Sequence, residues 1–178
     1  MEMTTVPSKT PLGTASGTWR VDPQTSTASF SAATLWGRIP VRGHLGQVTG
    51  TLRWHGADGR GRMAINAAAL STGIKLRDHH LRSRAFFDVR NHPEVVVEAN
   101  EIAEDGRGLR LRGELLVRGQ RHPFDCVAIV ETLSSHQIAL DAEAEFDLNQ
   151  LGMSRGLAHM IPAGVTAHVR IVLHREIA

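Results

Sequence analysis

The sequence predicts an all-β fold: an antiparallel up-and-down barrel of about eight strands, with a short helix between strands near residues 75–84. Three observations carry that expectation. Apolar and polar residues alternate with period 2 through most of the chain, turn residues recur at hairpin spacing, and one segment breaks the rhythm. At 178 residues the chain fits one domain that can hold a core without disulfides. Its 42% hydrophobic and 21% charged residues are ordinary for a globular protein.

Residues 1–17 are rich in Thr, Ser, Pro and Gly. They have little to bury, which predicts a disordered N-terminal arm ahead of one barrel domain over 18–178. In the first strand Ala28, Phe30 and Ala32 share one side, with Thr27, Ser29 and Ser31 on the other. A long strand, Val41 to Trp54, follows, interrupted by Gly43, Gly46 and Gly50. A turn at His55–Gly59 and a partner strand Arg62–Leu70 complete a hairpin. Further strands are expected at Val95–Ala103, Gly108–Arg118, His122–Glu131, Gln137–Phe146 and Val165–Arg175. The pattern is cleanest in Gln137–Phe146, where Ile138, Leu140, Ala142, Ala144 and Phe146 oppose Gln137, Asp141, Glu143 and Glu145. Two of its inward residues are alanines. In a barrel of this size, small inward residues leave either room for a slender ligand or a gap that larger neighbours fill.

The break in rhythm lies between Gly73 and Asn91. Leu76 with His80, and Asp78 with Arg82, are helical neighbours, which predicts a short helix. Asp78 is placed to cap it or to pair with Arg82. Pro93 returns the chain to an extended state, and at least one of Phe86 and Phe87 should pack under the barrel as a cap.

Composition removes several function classes. The formal charge is only +2, and the basic residues, nearly all Arg, are spread along the chain rather than gathered among stacking aromatics, so nucleic acid is not an expected partner. The single cysteine, Cys126, excludes an internal disulfide and reads as a small buried strand residue. No apolar run reaches the length of a signal-peptide core or a transmembrane helix, so a cytoplasmic location is expected. The ten histidines are scattered. His168 and His174 can share a side of the last strand, but zinc needs three or four ligands, so no metal site is expected. Neither Cys126 nor Ser134-Ser135-His136 has a nucleophile elbow beside it.

The segment that breaks the rhythm also carries a resemblance. Ser71-Thr72-Gly73, Arg77-Asp78-His79-His80-Leu81-Arg82-Ser83, Phe86-Phe87-Asp88-Val89 and His92-Pro93 resemble the signature stretch of the YceI family. Trp19-Arg20-Val21-Asp22-Pro23, Val41-Arg42-Gly43, Leu111–Gly119 and Leu151-Gly152-Met153 agree with it, so the resemblance covers the chain from about Thr18 to its end. It implies a lipocalin-like barrel with a tunnel that accommodates a polyisoprenoid chain, and it admits a homodimer. Many relatives begin with a signal peptide, which is not expected here, and the sequence carries Val97 where an aromatic is usual.

Under that resemblance Phe30, Ala32, Ile65, Val97, Leu116, Ile129, Leu140 and Ala142 are the expected apolar tunnel lining. Arg77, Asp78, His80, Phe86 and Phe87 are expected at the tunnel mouth, where the three polar side chains should tie the helix to the strand ends and satisfy backbone groups; the alternative is that Arg77 and His80 bind a polar head such as a diphosphate. A loop over Leu151–Val165, with Met153, Leu157, Met160 and Ile161, reads as a flap over the core or a gate for the ligand. No residue is assigned a catalytic role, because Asp78 and His80 stand two apart on a helix and point in different directions. The expected function is non-catalytic binding, transport or sequestration of an isoprenoid, polyprenyl or quinone-like lipid, with no other cofactor. Two alternatives stand beside it. One is a hydrolase or isomerase using His80, and the other is a filled-barrel scaffold whose Arg-rich rim binds an acidic partner.

Overall fold

Alternation along the chain produces strands, and their order in the sheet closes them into a ring. The computed structural model describes residues 17–34, 39–55, 58–106, 108–153 and 164–176, without the side chains of 33, 34, 39, 40 and 54. The described strands are β1 (Gly17–Val21), β2 (Thr27–Thr34), β3 (Ile39–His44), β4 (Val48–His55), β5 (Asp58–Asn66), β6 (Glu94–Asp105), β7 (Gly108–Val117), β8 (Gln120–Ser134), β9 (Gln137–Asp147) and β10 (Gly164–Arg175). One helix, α1 (Lys75–Arg82), lies between β5 and β6.

The ten strands occupy eight positions in a closed antiparallel barrel. Both β1 and β2 pair with β10, β2 along Val165–Arg170 and β1 along Leu173–Arg175, so they are two halves of one position. Correspondingly, β3 pairs with β2 and β4 with β1, and β5 to β10 follow in sequence. Where β10 changes partner, Ser26 fills the gap: its Oγ accepts from the Val172 amide at 2.9 Å, while the Asp22 amide donates to the Val172 carbonyl at 2.8 Å. The Asp22-to-Ser26 turn thus keeps the ladder satisfied across the break.

Three expectations about boundaries need correction. The one long strand expected over Val41–Trp54 is two strands, β3 and β4, which pair with β2 and β1 respectively. Gly17 already belongs to β1, and the rest of the expected arm, residues 1–16, lies outside the described residues. The second strand of the first hairpin is Asp58–Asn66 rather than Arg62–Leu70, and His55 pairs directly with Asp58. Gly59 reads as a turn residue in sequence, yet it lies within β5, as does Gly61. Gly61 faces the interior, where a Cβ would stand 3.4 Å from Leu52 Cδ1.

One end of the barrel carries the 67–93 insertion with α1, the β7–β8 turn and the 148–153 segment after β9. The opposite end carries the β4–β5, β6–β7 and β8–β9 turns. There large side chains fill the interior: Trp19, Leu109, Ile138 and Leu173 are all buried, Leu109 completely. A bulge between Ala99 and Glu101 in β6 shifts the alternation, so Ala99 and Ile102, three apart, both turn inward.

Candidate functional site

Above this packed end the interior opens into a cavity of about 280 Å³. Its floor includes Leu52, Ile102 and Leu173. Its walls follow from register. Across β8, β9, β10 and β2, the inward row is Ala128, Ala142, Val169, Ala28, and the next row toward the helix holds Ala144, Ala167 and Phe30. On the facing wall the row across β5, β6 and β7 is Met63, Val97, Leu115. One wall is therefore mostly alanine, with Val169 and Phe30 among the methyl groups, and the other is built from larger side chains; the space between them is what the alanines leave unfilled. A barrel with this void is not the filled scaffold considered above.

Of the expected lining, Phe30, Ala32, Ile65, Val97, Leu140 and Ala142 border the cavity. Leu116 and Ile129 do not. Leu116 pairs with Val96 on the outward face, and Ile129 is 62% exposed. Each lies in a continuous apolar run, Leu115–Val117 and Cys126–Val130, where period 2 has no contrast to report. Nearby charges fix the parity: Arg110 and Arg112 outward put Leu111, Leu115 and Val117 inside, and Asp125 outward puts Phe124, Cys126 and Ala128 inside.

At the helix end Arg77, His80, Leu81, Phe86 and Phe87 border the cavity. Phe86 is buried, and its ring meets His80 edge-on with centroids 4.9 Å apart. Asp78, expected at the mouth, is instead buried behind it. Its carboxylate accepts from the Thr72 amide at 2.7 Å, the Thr72 hydroxyl and the Ser71 hydroxyl. The Thr72 hydroxyl above all holds the carboxyl below its usual range, against the opposing effect of burial. Asp78 neither caps α1, whose N-cap residue is Ile74, nor bonds the His80 ring. It ties the helix to the strand-like segment at Ser71, which bridges to His44. Arg77 is held from the same residue, donating through Nε to Thr72 Oγ1 at 2.7 Å and through Nη2 to Thr72 O at 3.0 Å. Its Nη1 makes no protein hydrogen bond among those described.

Two contributors carry little signal in sequence. Arg118 and Gly119 both adopt positive φ, 53° and 73°, the pattern of a type I′ hairpin turn. From that turn the Arg118 guanidinium donates to the carbonyls of Gly152 and Arg84, clamping the 148–153 segment and the helical insertion together. Gly43 lets Phe30 and Thr72 approach, since a Cβ there would stand 2.5 Å from Phe30 Cζ and 2.8 Å from Thr72 Cγ2. In the expected flap, Leu151 and Met153 are buried against the cavity. Leu157, Met160 and Ile161 lie outside the described residues.

A closed antiparallel barrel that encloses an apolar cavity beneath a short helix defines a lipocalin-like class. Within that class the chain belongs to the YceI-like domain family, whose model matches residues 19–176. The structure of BcnA from Burkholderia cenocepacia is similar with a TM-score of 0.77 at 17% identity, over 85% of this chain and 98% of that one. A polyisoprenoid binding domain from Saccharophagus degradans gives 0.73 at 15%, over 89% and 98%. At such identities the likeness establishes the fold. A UPF0312 protein of Pectobacterium carotovorum subsp. carotovorum is 33% identical over 61 residues, 34% of this chain and 32% of the relative. One from Serratia proteamaculans is 25% identical over 100 residues, 53% and 52%. The matched stretches thus span about a third to a half of these curated relatives.

Proposed function

We propose that this protein binds a long apolar ligand, an isoprenoid, polyprenyl or quinone-like lipid, inside the barrel and carries or sequesters it without converting it. The observation that carries this reading is the cavity with one wall mostly of alanines, open volume that no folded-state packing requires. Burial stabilises an apolar chain by about 0.8 kcal/mol per methylene, or roughly 4 kcal/mol for each five-carbon unit, before the cost of ordering it. The likeness to a domain described as polyisoprenoid binding supports the same class of ligand.

In this reading Arg77 and His80 receive a polar head group. Thr72 fixes the guanidinium and leaves Nη1 for the ligand, and a fixed cation at the end of an apolar cavity orients an amphiphile without reacting with it. The test is mass spectrometry of lipids extracted from protein purified from its own host. A reproducible prenyl lipid at near-stoichiometric amount is expected. An empty cavity in repeated preparations, with no uptake of added geranylgeraniol or ubiquinone, would overturn the reading.

A further inference from the structure

Four large apolar side chains among the described residues are exposed: Ile74 at 53%, Leu76 at 81%, Ile129 at 62% and Leu133 at 40%. Ile129 and Leu133 lie on the barrel wall in β8, beside paired charges. Ile129 is opposite Asp141, and Arg170 joins Asp141 to Glu131. Ile74 and Leu76 are placed differently. They flank Lys75 at the start of α1, at the cavity end of the barrel. Ile74 occupies the N-cap position without making a side-chain cap hydrogen bond, where Ser, Thr, Asp or Asn would stabilise the helix. Neither residue gains anything visible from the fold.

Their electrostatic surroundings differ as well. Beside Ile129, Arg170 is matched by Asp141 and Glu131; elsewhere on the walls Arg20, Arg62, Arg110, Arg112 and Arg121 each pair with a carboxylate, while Arg42, Arg53 and Arg60 are exposed with no ion pair among the described residues. In the 67–93 insertion, Lys75, Arg84 and Arg90 are exposed, and no ion pair joins them to a carboxylate among the described residues. Of the two acids in the insertion, Asp78 is buried and satisfied by Ser71 and Thr72, and Asp88 accepts from Asn91. Leu76 also shares a helix face with His79 and His80, at i+3 and i+4, and His80 borders the cavity.

We infer that the helix-bearing end docks on an anionic lipid bilayer, inserting Ile74 and Leu76 between head groups while Lys75, Arg84 and Arg90 contact their phosphates. Two exposed apolar side chains flanking Lys75, in an insertion whose exposed Arg84 and Arg90 also lack a described carboxylate partner, fit an anionic interface. A two-fold contact with a second copy would set the same cations against each other. Docking through Leu76 brings the His80 side of the mouth to the membrane, so a lipid could pass from bilayer to cavity without crossing water. The inference rests on the lipid-carrier reading for its purpose, but its test is separate.

The experiment is co-sedimentation of the full chain with vesicles of phosphatidylglycerol and phosphatidylcholine in equal parts, and with phosphatidylcholine alone. Binding to the first, weakened by salt, and little to the second is expected. Ile74→Ser with Leu76→Ser lowers partitioning by about tenfold, and Lys75→Ala or Arg84→Ala lowers it by about fivefold each. Native mass spectrometry of the same variants reports whether the cavity still takes up geranylgeraniol. Failure of the wild type to bind anionic vesicles overturns the inference, as does binding that the double variant leaves unchanged. Self-association that the double variant abolishes, with no vesicle binding, assigns the patch to a second copy and overturns it too. Vesicle binding with a cavity that takes up no lipid would leave docking intact and remove the carrier reading instead.

Discussion

The two ends of the barrel are made from the same strands and filled in opposite ways. In β9 the inward residues run Ile138, Leu140, Ala142, Ala144, Phe146. Opposite them in β10 stand Leu173, Ile171, Val169, Ala167 and Val165. At the turn-bearing end large side chains meet, and with Trp19 and Leu109 they form a solid plug. A few residues along the same strands the side chains shrink, and the barrel becomes a container roofed by α1, Phe86 and the 148–153 segment. A change of side-chain size along a constant backbone is enough to divide one fold into a part that stabilises and a part that holds.

The largest effect should come from breaking the plug. Leu109→Ala is expected to cost about 2–5 kcal/mol, read as a lower urea midpoint, while the amount of bound lipid per folded molecule stays the same. A parallel loss of lipid would show that the two ends are not separate. Next comes filling the container: Ala142→Phe, between Ala128 and Val169, should lower affinity for a prenyl lipid at least about tenfold, or about 1.4 kcal/mol. Its stability should change little, because the new ring enters space that is already open. Unaltered lipid uptake in that variant would place the ligand elsewhere.

The roof should respond in a third way. Arg118→Ala removes the clamp between Gly152 and Arg84, and is expected to cost about 1–2 kcal/mol. Hydrogen exchange should quicken around Phe86 and Met153, with faster lipid release and unchanged protection in the plug. Cys126 offers a reporter inside the container. Burial above all pushes its thiol up, so alkylation by iodoacetamide should be slow, and slower still when lipid fills the cavity. Equal rates with and without lipid would argue that the ligand does not reach β8.

The smallest effect belongs to the outer wall. Arg110, with Arg112, holds the Asp125 carboxyl down to about 2. A carboxyl depressed on folding contributes stability that is complete above its unfolded value near 4 and fades as pH falls through about 2. The group is exposed, so the contribution is small. Comparing denaturation midpoints at about pH 5 and pH 2.5, Asp125→Asn should flatten this part of the pH dependence. Asp78→Asn would act in the same direction, but there the loss would also appear as a loosened α1.

How much of this was legible depended on contrast in the sequence. Ile138 to Phe146 alternates against four charged or amide residues, and its inward face was read correctly from residue types alone. Leu116 and Ile129 were misplaced because an unbroken apolar run has no parity of its own. Arg110, Arg112 and Asp125, a few residues away, carried the parity that was needed. That at least one of Phe86 and Phe87 caps the barrel was legible, because two aromatics after a short helix have few other places to go, and Phe86 is the buried one. Asp78 was legible as a tie between the helix and the strand ends, which its bonds to Ser71 and Thr72 are, but its burial and its particular partners were not, because a carboxylate in sequence does not show which hydroxyl it will face.

The sequence by itself determined the strands, the inserted helix and the small inward residues of β9, since each follows from local periodicity and side-chain volume. Tertiary structure alone decided that Ala28, Ala128, Ala142 and Ala167 meet on one wall, because that depends on the register of four strands drawn from distant parts of the chain. Closure decided the rest: β10 had to switch partners at Ser26 to complete the ring, and only a completed ring turns a row of alanines into a cavity.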